Sequence, residues 1–275
     1  MKKLVVAGIA LGALMVPAMA ADMRVKAPVL KTPPPAFSWS GCYIGGNAGG
    51  AWENASNSLV VANTTPGYFT PAAIPGVNAS GTADMNSSGF TGGGQVGCNW
   101  QSGQTVWGVE VDIESLNQST SFGGAFRYTT NNAPYFLIGS RSTDWLFTAR
   151  PRIGWAADRA LFYVTGGLAV AKLNFNQFFA EPPFTPTPEI ATLSTTQVGW
   201  TIGAGIEWAL YNNWSLKGEY LFAEFDGNSV IGNLVNGSGS GPGCVGLFAC
   251  GATFTNSVSR LDVSILRAGL NYRLY

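Results

Sequence analysis

Three carboxylates alternate with apolar side chains in the segment TVWGVEVDIES, residues 105–115. Glu110, Asp112 and Glu114 occupy even-numbered positions of this segment. The odd-numbered positions are apolar: Trp107, Val109, Val111 and Ile113. Closely spaced carboxylates can act as a general acid and base, but the 275-residue chain contains no histidine, so imidazole bases and histidine-ligated metals are excluded. We therefore predict no catalytic residue, no metal ligand and no cofactor, and we expect the protein not to be an enzyme.

Strict alternation is typical of a β-strand whose two faces meet different surroundings. Eight segments show it, and they alternate between short turns (SGQ, ADR, YNN) and long connections. The predicted strands are 41–53, 88–101, 105–118, 143–156, 160–175, 196–210, 214–225 and 259–275. The predicted long loops are 54–87, 119–142, 176–195 and 227–257.

Strand length and loop order together indicate a membrane fold. Each predicted strand reaches the roughly 9–11 residues that cross a bilayer at a tilt. An even strand number, with short turns at one end and long loops at the other, is the pattern of outer-membrane barrels. A soluble β-sandwich is the alternative, but its turns need not segregate by length. We predict an all-β fold, an eight-stranded antiparallel transmembrane β-barrel with short periplasmic turns and long extracellular loops.

The composition agrees with a chain whose outer surface meets lipid. Only 11% of the residues are charged, whereas soluble domains have about 25%, and 46% are hydrophobic. Lysine and arginine together number 15, equal to aspartate and glutamate, so no basic field exists that would bind nucleic acid.

The charges of the predicted strand centres all lie on the face opposite the apolar one. An arginine exposed to lipid at the bilayer midplane costs about 2–4 kcal/mol, so these charges should point inward. The predicted lumen charge network comprises Glu110, Asp112, Glu114, Arg150, Arg152, Glu207, Lys217, Glu219, Arg267 and Arg273. Because eight strands enclose only enough space for side chains, the network is either a self-neutralising plug or the wall of a narrow polar path. Gly203, Gly205 and Gly269 are expected to leave room for arginine side chains.

Aromatic residues and cysteines complete the predicted features of the barrel. Trp107, Trp155, Trp208 and Trp214 adjoin the short turns, as an interfacial girdle would. The cysteines allow two disulfides: Cys244–Cys250 within one loop, and Cys42–Cys98 between adjacent strands.

The N-terminus has the features of an exported protein. A basic MKK, an apolar run and the small residues AMA at 18–20 predict a signal peptide over 1–20. Residues 21–38 are then a flexible, Pro-rich periplasmic leader, and the barrel occupies 39–275.

Several motifs resemble outer-membrane β-barrel proteins of alphaproteobacteria, in the broad group of porin- and OmpA-like small barrels. They are the leader ADMRVKAP, the segment FSWSGCYIGGNAGGAW, the strand-four set Arg150, Arg152 and Gly154, YVTGGLA at 163–169 and AGLNYR at 268–273. The similarity runs from about residue 37 to the C-terminus. Cys42 stands where the family usually has Phe. The terminal Leu274-Tyr275 also departs from the single aromatic residue that usually follows NYR or NYK.

The resemblance implies a location in the cell outer membrane of a Gram-negative bacterium and a structural, antigenic or host-contact role. The expected partners are outer-membrane lipid and lipopolysaccharide, the barrel assembly machinery during insertion, and a host or surface ligand at the loops. The alternatives are a small porin for ions or small solutes and, third, a surface haem- or ligand-binding protein whose Tyr- and Phe-bearing loops hold a flat apolar molecule.

Overall fold

Twelve strands and one helix, numbered in chain order, make up the described part of the chain, residues 37–182, 188–236 and 250–274 of a computed structural model. Eight strands close into an antiparallel barrel in the order β1-β12-β9-β8-β7-β6-β5-β4, so the predicted fold class is confirmed. They are β1 (Gly41–Asn54), β4 (Ser87–Ser102), β5 (Thr105–Arg127), β6 (Pro134–Ala157), β7 (Ala160–Ala180), β8 (Glu189–Ala209), β9 (Trp214–Phe225) and β12 (Leu261–Arg273). The predicted signal peptide and most of the leader lie outside the described residues and stay predictions.

The short turns at one end of the barrel use residues that tolerate a left-handed backbone. Gly103 has φ 61°, Asp158 has φ 54°, and Asn212 and Asn213 have φ 54° and 67°. Glycine, aspartate and asparagine adopt this region more readily than other residues, which explains why strands reverse here within a few residues.

The outer face of the barrel is apolar over a band bounded by tryptophans. Trp155 and Trp145 lie ten residues apart on β6, a span that matches the thickness of a bilayer crossed at a tilt. Trp200 on β8 is 46% exposed and lies on the outer face, on the side of Trp208 away from the short turn at 211–213. This second aromatic level was not predicted.

Strands β5 to β8 continue well beyond this band. The predicted loops 119–142 and 176–195 are wrong for most of their length, because β5 and β6 are joined only by residues 128–133 and β7 runs to Ala180. Register shifts between Ser115 and Gln118 and between Thr143 and Leu146 lie at the points where the strands had been predicted to end and begin, and the second shift changes the inward parity of β6.

The other two predicted loops also contain regular structure. Segment 54–87 holds β2 (Ser56–Asn63), helix α1 (Ile74–Gly81) and β3 (Ala83–Asp84), and segment 227–257 holds β10 (Asn228–Asn236) and β11 (Cys250–Val258). These strands form a second sheet in the order β10-β11-β2-β3. Within the described ranges, no helix combines the length and apolar character that crossing a membrane requires.

The extensions of β5 to β8 and the second sheet share a core at the extracellular end. Its buried aromatic side chains are Tyr68, Phe69, Tyr128, Tyr135, Phe179 and Phe254. Outside the bilayer a sheet meets water on its outer face, so the apolar side chains turn inward, the reverse of their direction in the membrane.

Candidate functional site

The register of the barrel strands brings the acidic and basic rows of the lumen together. Glu110 of β5 lies opposite Arg150 of β6. On the far side of the lumen Glu219 of β9 lies opposite Arg267 of β12. Because alternate residues of each strand point inward, these pairs converge on one level inside the barrel.

Five carboxylates and four cations form a continuous set of ion pairs at that level. Arg150 Nη2 lies 2.7 Å from Glu110 Oε1 and 2.6 Å from Asp112 Oδ2. Lys217 Nζ lies 2.9 Å from Glu110 Oε1. Arg267 pairs with Glu114, Asp112 and Glu219, and Arg152 Nη1 lies 3.3 Å from Glu207 Oε2. We call these nine residues the lumen network: Glu110, Asp112, Glu114, Arg150, Arg152, Glu207, Lys217, Glu219 and Arg267.

Tyrosines and uncharged polar residues complete the network, and sequence reasoning missed them. Tyr43 donates a hydrogen bond of 2.6 Å to Glu110, and Tyr163 donates one of 2.9 Å to Glu219. The Arg152 guanidinium lies 4.8 Å and 5.1 Å from the ring centroids of these two tyrosines. Thr148 donates to Asp112. The inward parity of Tyr43 and Tyr163 was the signal that could have found them.

Gly203, Gly205 and Gly269 had been expected to leave room for arginine side chains, but other side chains occupy the space beside them. At Gly205, an added Cβ would lie 2.5 Å from the Tyr163 hydroxyl oxygen. At Gly203 it would meet the Leu221 side chain, and at Gly269 the Gln95 amide. The glycines thus admit Tyr163, Leu221 and Gln95 into the lumen.

Arg273 lies at the short-turn mouth, apart from the lumen network. Its guanidinium stacks 4.8 Å from the Phe37 ring and donates a hydrogen bond to the Ser38 carbonyl. Next to it Trp39 is buried against Val106, Leu161 and other apolar side chains of the barrel end. The backbone N–H of Trp39 donates to Gln101, and its indole N–H donates to the Asp158 carbonyl.

A layer of apolar side chains lies on the other side of the network, toward the extracellular end. It includes Leu116, Leu146, Leu221, Phe225, Val263 and Ile265, all at most 2% exposed. Beyond it a separate ion pair joins Arg141 and Glu53 at 2.6 Å, with Thr143 donating to the same Glu53 oxygen. Arg141 was missed because it lies in a segment that had been predicted as a loop.

Two further carboxyl groups are buried in the extracellular core. Glu181 accepts hydrogen bonds from the Tyr68 and Tyr128 hydroxyls at 3.0 Å and 2.8 Å, and burial raises its pKa. Burial raises the pKa of Glu189 to about 7, and Gln177 beside it opposes the shift. Neither carboxyl has a cationic group among the causes of its shift.

The predicted girdle and one predicted disulfide can be located on the outer face. Trp107, Trp155, Trp208 and Trp214 are 42–53% exposed, and each points away from the lumen. A disulfide joins Cys42 and Cys98, paired positions on β1 and β4, so that prediction is confirmed. Cys250 is buried, but Cys244 lies outside the described residues and the Cys244–Cys250 pairing stays a prediction.

The lumen network has little capacity for chemistry. Each of its carboxylates is paired with a buried cation, so none is free to take a proton from a substrate as general acid–base catalysis requires. Among the described residues, no group of histidine, cysteine, aspartate and glutamate side chains is arranged to hold a metal ion. What the arrangement does provide is pairing of five acidic and four basic side chains inside a closed sheet.

Known proteins of similar sequence are outer-membrane proteins. The chain is 34% identical over 229 residues to the 31 kDa outer-membrane immunogenic protein of Brucella melitensis, which covers 78% of this chain and 83% of that protein. It is 28% identical over 193 residues to a 22 kDa outer membrane protein of Rhizobium leguminosarum bv. viciae, with 70% of this chain and 66% of that protein covered. A solved structure, the outer membrane protein OprG of Pseudomonas aeruginosa, matches 86% of this chain and 97% of its own at 12% identity, with a TM-score of 0.40.

The fold, the lipid-facing band and these relatives define an integral outer-membrane β-barrel of a Gram-negative bacterium. Residues 7–273 match the model of the outer membrane protein beta-barrel domain, and the chain belongs to that family. The resemblance to alphaproteobacterial outer-membrane barrels is confirmed.

Proposed function

We propose that this protein is a structural and surface-interaction barrel whose lumen is closed, and that it is neither a diffusion pore nor an enzyme. The observation that carries this proposal is the lumen network, whose nine charged side chains are each at most 4% exposed. A conducting path would keep such charges hydrated, as the polar, water-filled interior of porins does.

Closure at three successive levels supports the proposal. Trp39 covers the short-turn mouth, the lumen network fills the level above it, and the apolar layer around Leu221 and Phe225 follows. An ion crossing this series would have to displace paired charges and then cross a layer without polar partners, which is costly.

The extracellular extension supports a role in contact with the surroundings. The extensions of β5 to β8 and the second sheet form a folded layer above the membrane, with its own aromatic core. The relatives in Brucella are named immunogenic, which fits a barrel whose extracellular layer is reached by other molecules. The host or surface ligand of that layer is part of the proposal.

Little favours the two other functions. The aromatic residues expected to dock a haem, such as Tyr68 and Phe179, are fully buried in the extracellular core among the described residues. The porin alternative requires a water-filled lumen, and the buried ion pairs of the lumen network argue against one.

A liposome-swelling assay tests closure with uncharged solutes. Liposomes loaded with a polysaccharide and carrying the refolded full-length protein are diluted into isosmotic solutions of small sugars, with a known porin as the positive control. We expect no swelling beyond that of protein-free liposomes. Swelling whose rate decreases with sugar size would establish a diffusion pore and refute the proposal.

A further inference from the structure

One side of the extracellular extension carries an exposed apolar surface. Ile138 of β6, Phe178 of β7 and Ile190 of β8 lie directly opposite one another across three adjacent strands. Their side chains are 47%, 38% and 61% exposed, and Phe136, two residues from Ile138, is 39% exposed. We call these four residues the β6–β8 patch.

A hydrophilic collar separates the β6–β8 patch from the membrane band. Asn174 donates hydrogen bonds to Asp144 at 3.0 Å and to Ser142 at 3.3 Å, and Ser194 donates to Asn174 at 2.8 Å. Lys172 Nζ lies 3.9 Å from Asp144 Oδ2, with both side chains more than 40% exposed. Lipid tails therefore end below this collar, and the patch above it requires a different apolar partner.

The charges beside the patch restrict that partner. Asp144 is on β6 and Lys172 is on β7, side by side at the same level of the face. A two-fold axis normal to the membrane, in front of these strands, would place Asp144 of one copy opposite Lys172 of the other, and the reverse. Self-complementary charge of this kind is what an isologous interface needs.

We propose that the β6–β8 face is the interface of a homodimer in the plane of the outer membrane. Two copies anchored in one bilayer have the same height and orientation, so their sideways-facing patches meet without any rearrangement. Ile138 of each copy then faces Phe178 of the other, and the two Asp144–Lys172 contacts flank the axis.

The interface continues into the bilayer. A stable protein interface covers about 800 Å² per partner, more than four partly exposed side chains supply. Below the collar the same two strands present Phe147, Ile153 and Val164 outward, and next to them an apolar groove of about 650 Å³ is lined by Ile153, Val164, Gly166, Ile202 and Ala204. The proposed interface thus has two apolar parts, the patch above the hydrophilic collar and the membrane-facing surface below it.

Cysteine cross-linking of the full-length protein in outer-membrane vesicles tests the proposal. Ser140 lies on β6 between the collar and the patch, opposite Asn176 of β7 and close to the proposed axis. Ser140→Cys with a short bismaleimide should give a covalent dimer. Ser58→Cys is the matched control, because Ser58 is exposed on β2, in the other extracellular sheet. It should remain monomeric.

Charge reversal in the Ser140→Cys background distinguishes the paired interface from chance collision. Asp144→Lys and Lys172→Asp each place like charges opposite one another, so each should lower dimer yield about fivefold or more. The double variant restores opposite charges and should recover the parental yield. Heat-modifiable migration in gel electrophoresis verifies that every variant has a folded barrel.

Three results would overturn the proposal: equal dimer yields from Ser140→Cys and Ser58→Cys, single reversals without effect in folded barrels, or a conjugate of Ser140→Cys with an unrelated thiol-bearing protein in place of the dimer. None of these results depends on whether the lumen conducts, so the proposed function is tested separately.

Discussion

Arg150 and Glu110 stand directly opposite one another on β6 and β5, and their side chains meet in the lumen with Nη2 and Oε1 2.7 Å apart. The same Arg150 nitrogen lies 2.6 Å from Asp112. Both carboxylates therefore depend on one guanidinium, although Lys217 and Arg267 provide further contacts. Removing that guanidinium leaves buried negative charge without its nearest partner.

We expect Arg150→Ala to destabilise the barrel by about 3–5 kcal/mol, the usual cost of breaking a buried ion pair from one side. Urea unfolding of the protein refolded into lipid vesicles, followed by tryptophan fluorescence, measures the change. Arg260→Ala is the control, since its exposed pair with Glu224 should contribute at most about 1 kcal/mol. Equal effects of the two substitutions would show that Arg150 is not buried among carboxylates.

Val109 tests which face of β5 meets lipid. Its side chain is 49% exposed on the outer face between inward Gly108 and Glu110. Val109→Arg places a cation in hydrocarbon and should cost about 2–4 kcal/mol in the same unfolding assay. Ser121→Arg, outward on the same strand but beyond the membrane band, should cost little. A tolerated Val109→Arg would contradict the lipid-facing assignment.

Trp39 is expected to stabilise the short-turn end without acting as the main barrier. Trp39→Ala removes a side chain that is 4% exposed and should cost about 3–5 kcal/mol. Because the lumen network remains in place, the variant should still pass no ions. Urea unfolding measures the loss of stability, and planar-bilayer current measures ion conduction. Conduction by Trp39→Ala would show that Trp39, and not the lumen network, closes the barrel.

Glu189 should make the extracellular layer less stable as the pH rises. Folding raises its pKa from 4.5 to about 7, so between these values the folded chain retains a proton that the unfolded chain has lost. Stability attributable to this group therefore decreases from about pH 4.5 to 7 and is constant above that range. Glu189→Gln removes the dependence and should stabilise the layer at pH 8 by up to about 3 kcal/mol.

Hydrogen exchange of the β8 and β10 amides, compared between wild type and Glu189→Gln at each pH, measures this effect. The two proteins should differ at pH 8 and agree at pH 4. Glu224→Gln is the control, because Glu224 pairs with the exposed Arg260 and should change exchange little at either pH. A difference that is independent of pH would show that Glu189 does not titrate in this range.

The membrane-spanning part could be predicted from the sequence because every lipid-facing position of a strand must be apolar. Val109, Glu110, Val111 and Asp112 alternate without exception, since a charge on the lipid side is costly at every position. The closed sheet and its register follow from that alternation and from the three short turns. Cys42 and Cys98 could be paired by the same parity argument.

The extracellular layer could not be predicted in the same way, because the apolar face changes direction where the strands leave the membrane. In β6 the inward parity changes at the bulge near Asp144, so Leu137 points inward on an odd position and Leu146 on an even one. If the alternation of β6 is assumed to continue unchanged through the bulge, Leu137 is assigned to the outer face, which is wrong. Trp39 was missed for another reason: an aromatic residue just before the first strand is equally compatible with lipid, headgroup or lumen.

Planar-bilayer recording of the refolded full-length protein tests most directly whether the lumen network closes the barrel. Wild type should give no discrete openings, and current should appear only when Arg150→Ala and Arg152→Ala are combined with Leu221→Ala and Phe225→Ala, because the apolar layer alone would still block ions. Reproducible unitary openings of the wild type, at a level that these substitutions leave unchanged, would contradict closure of the lumen.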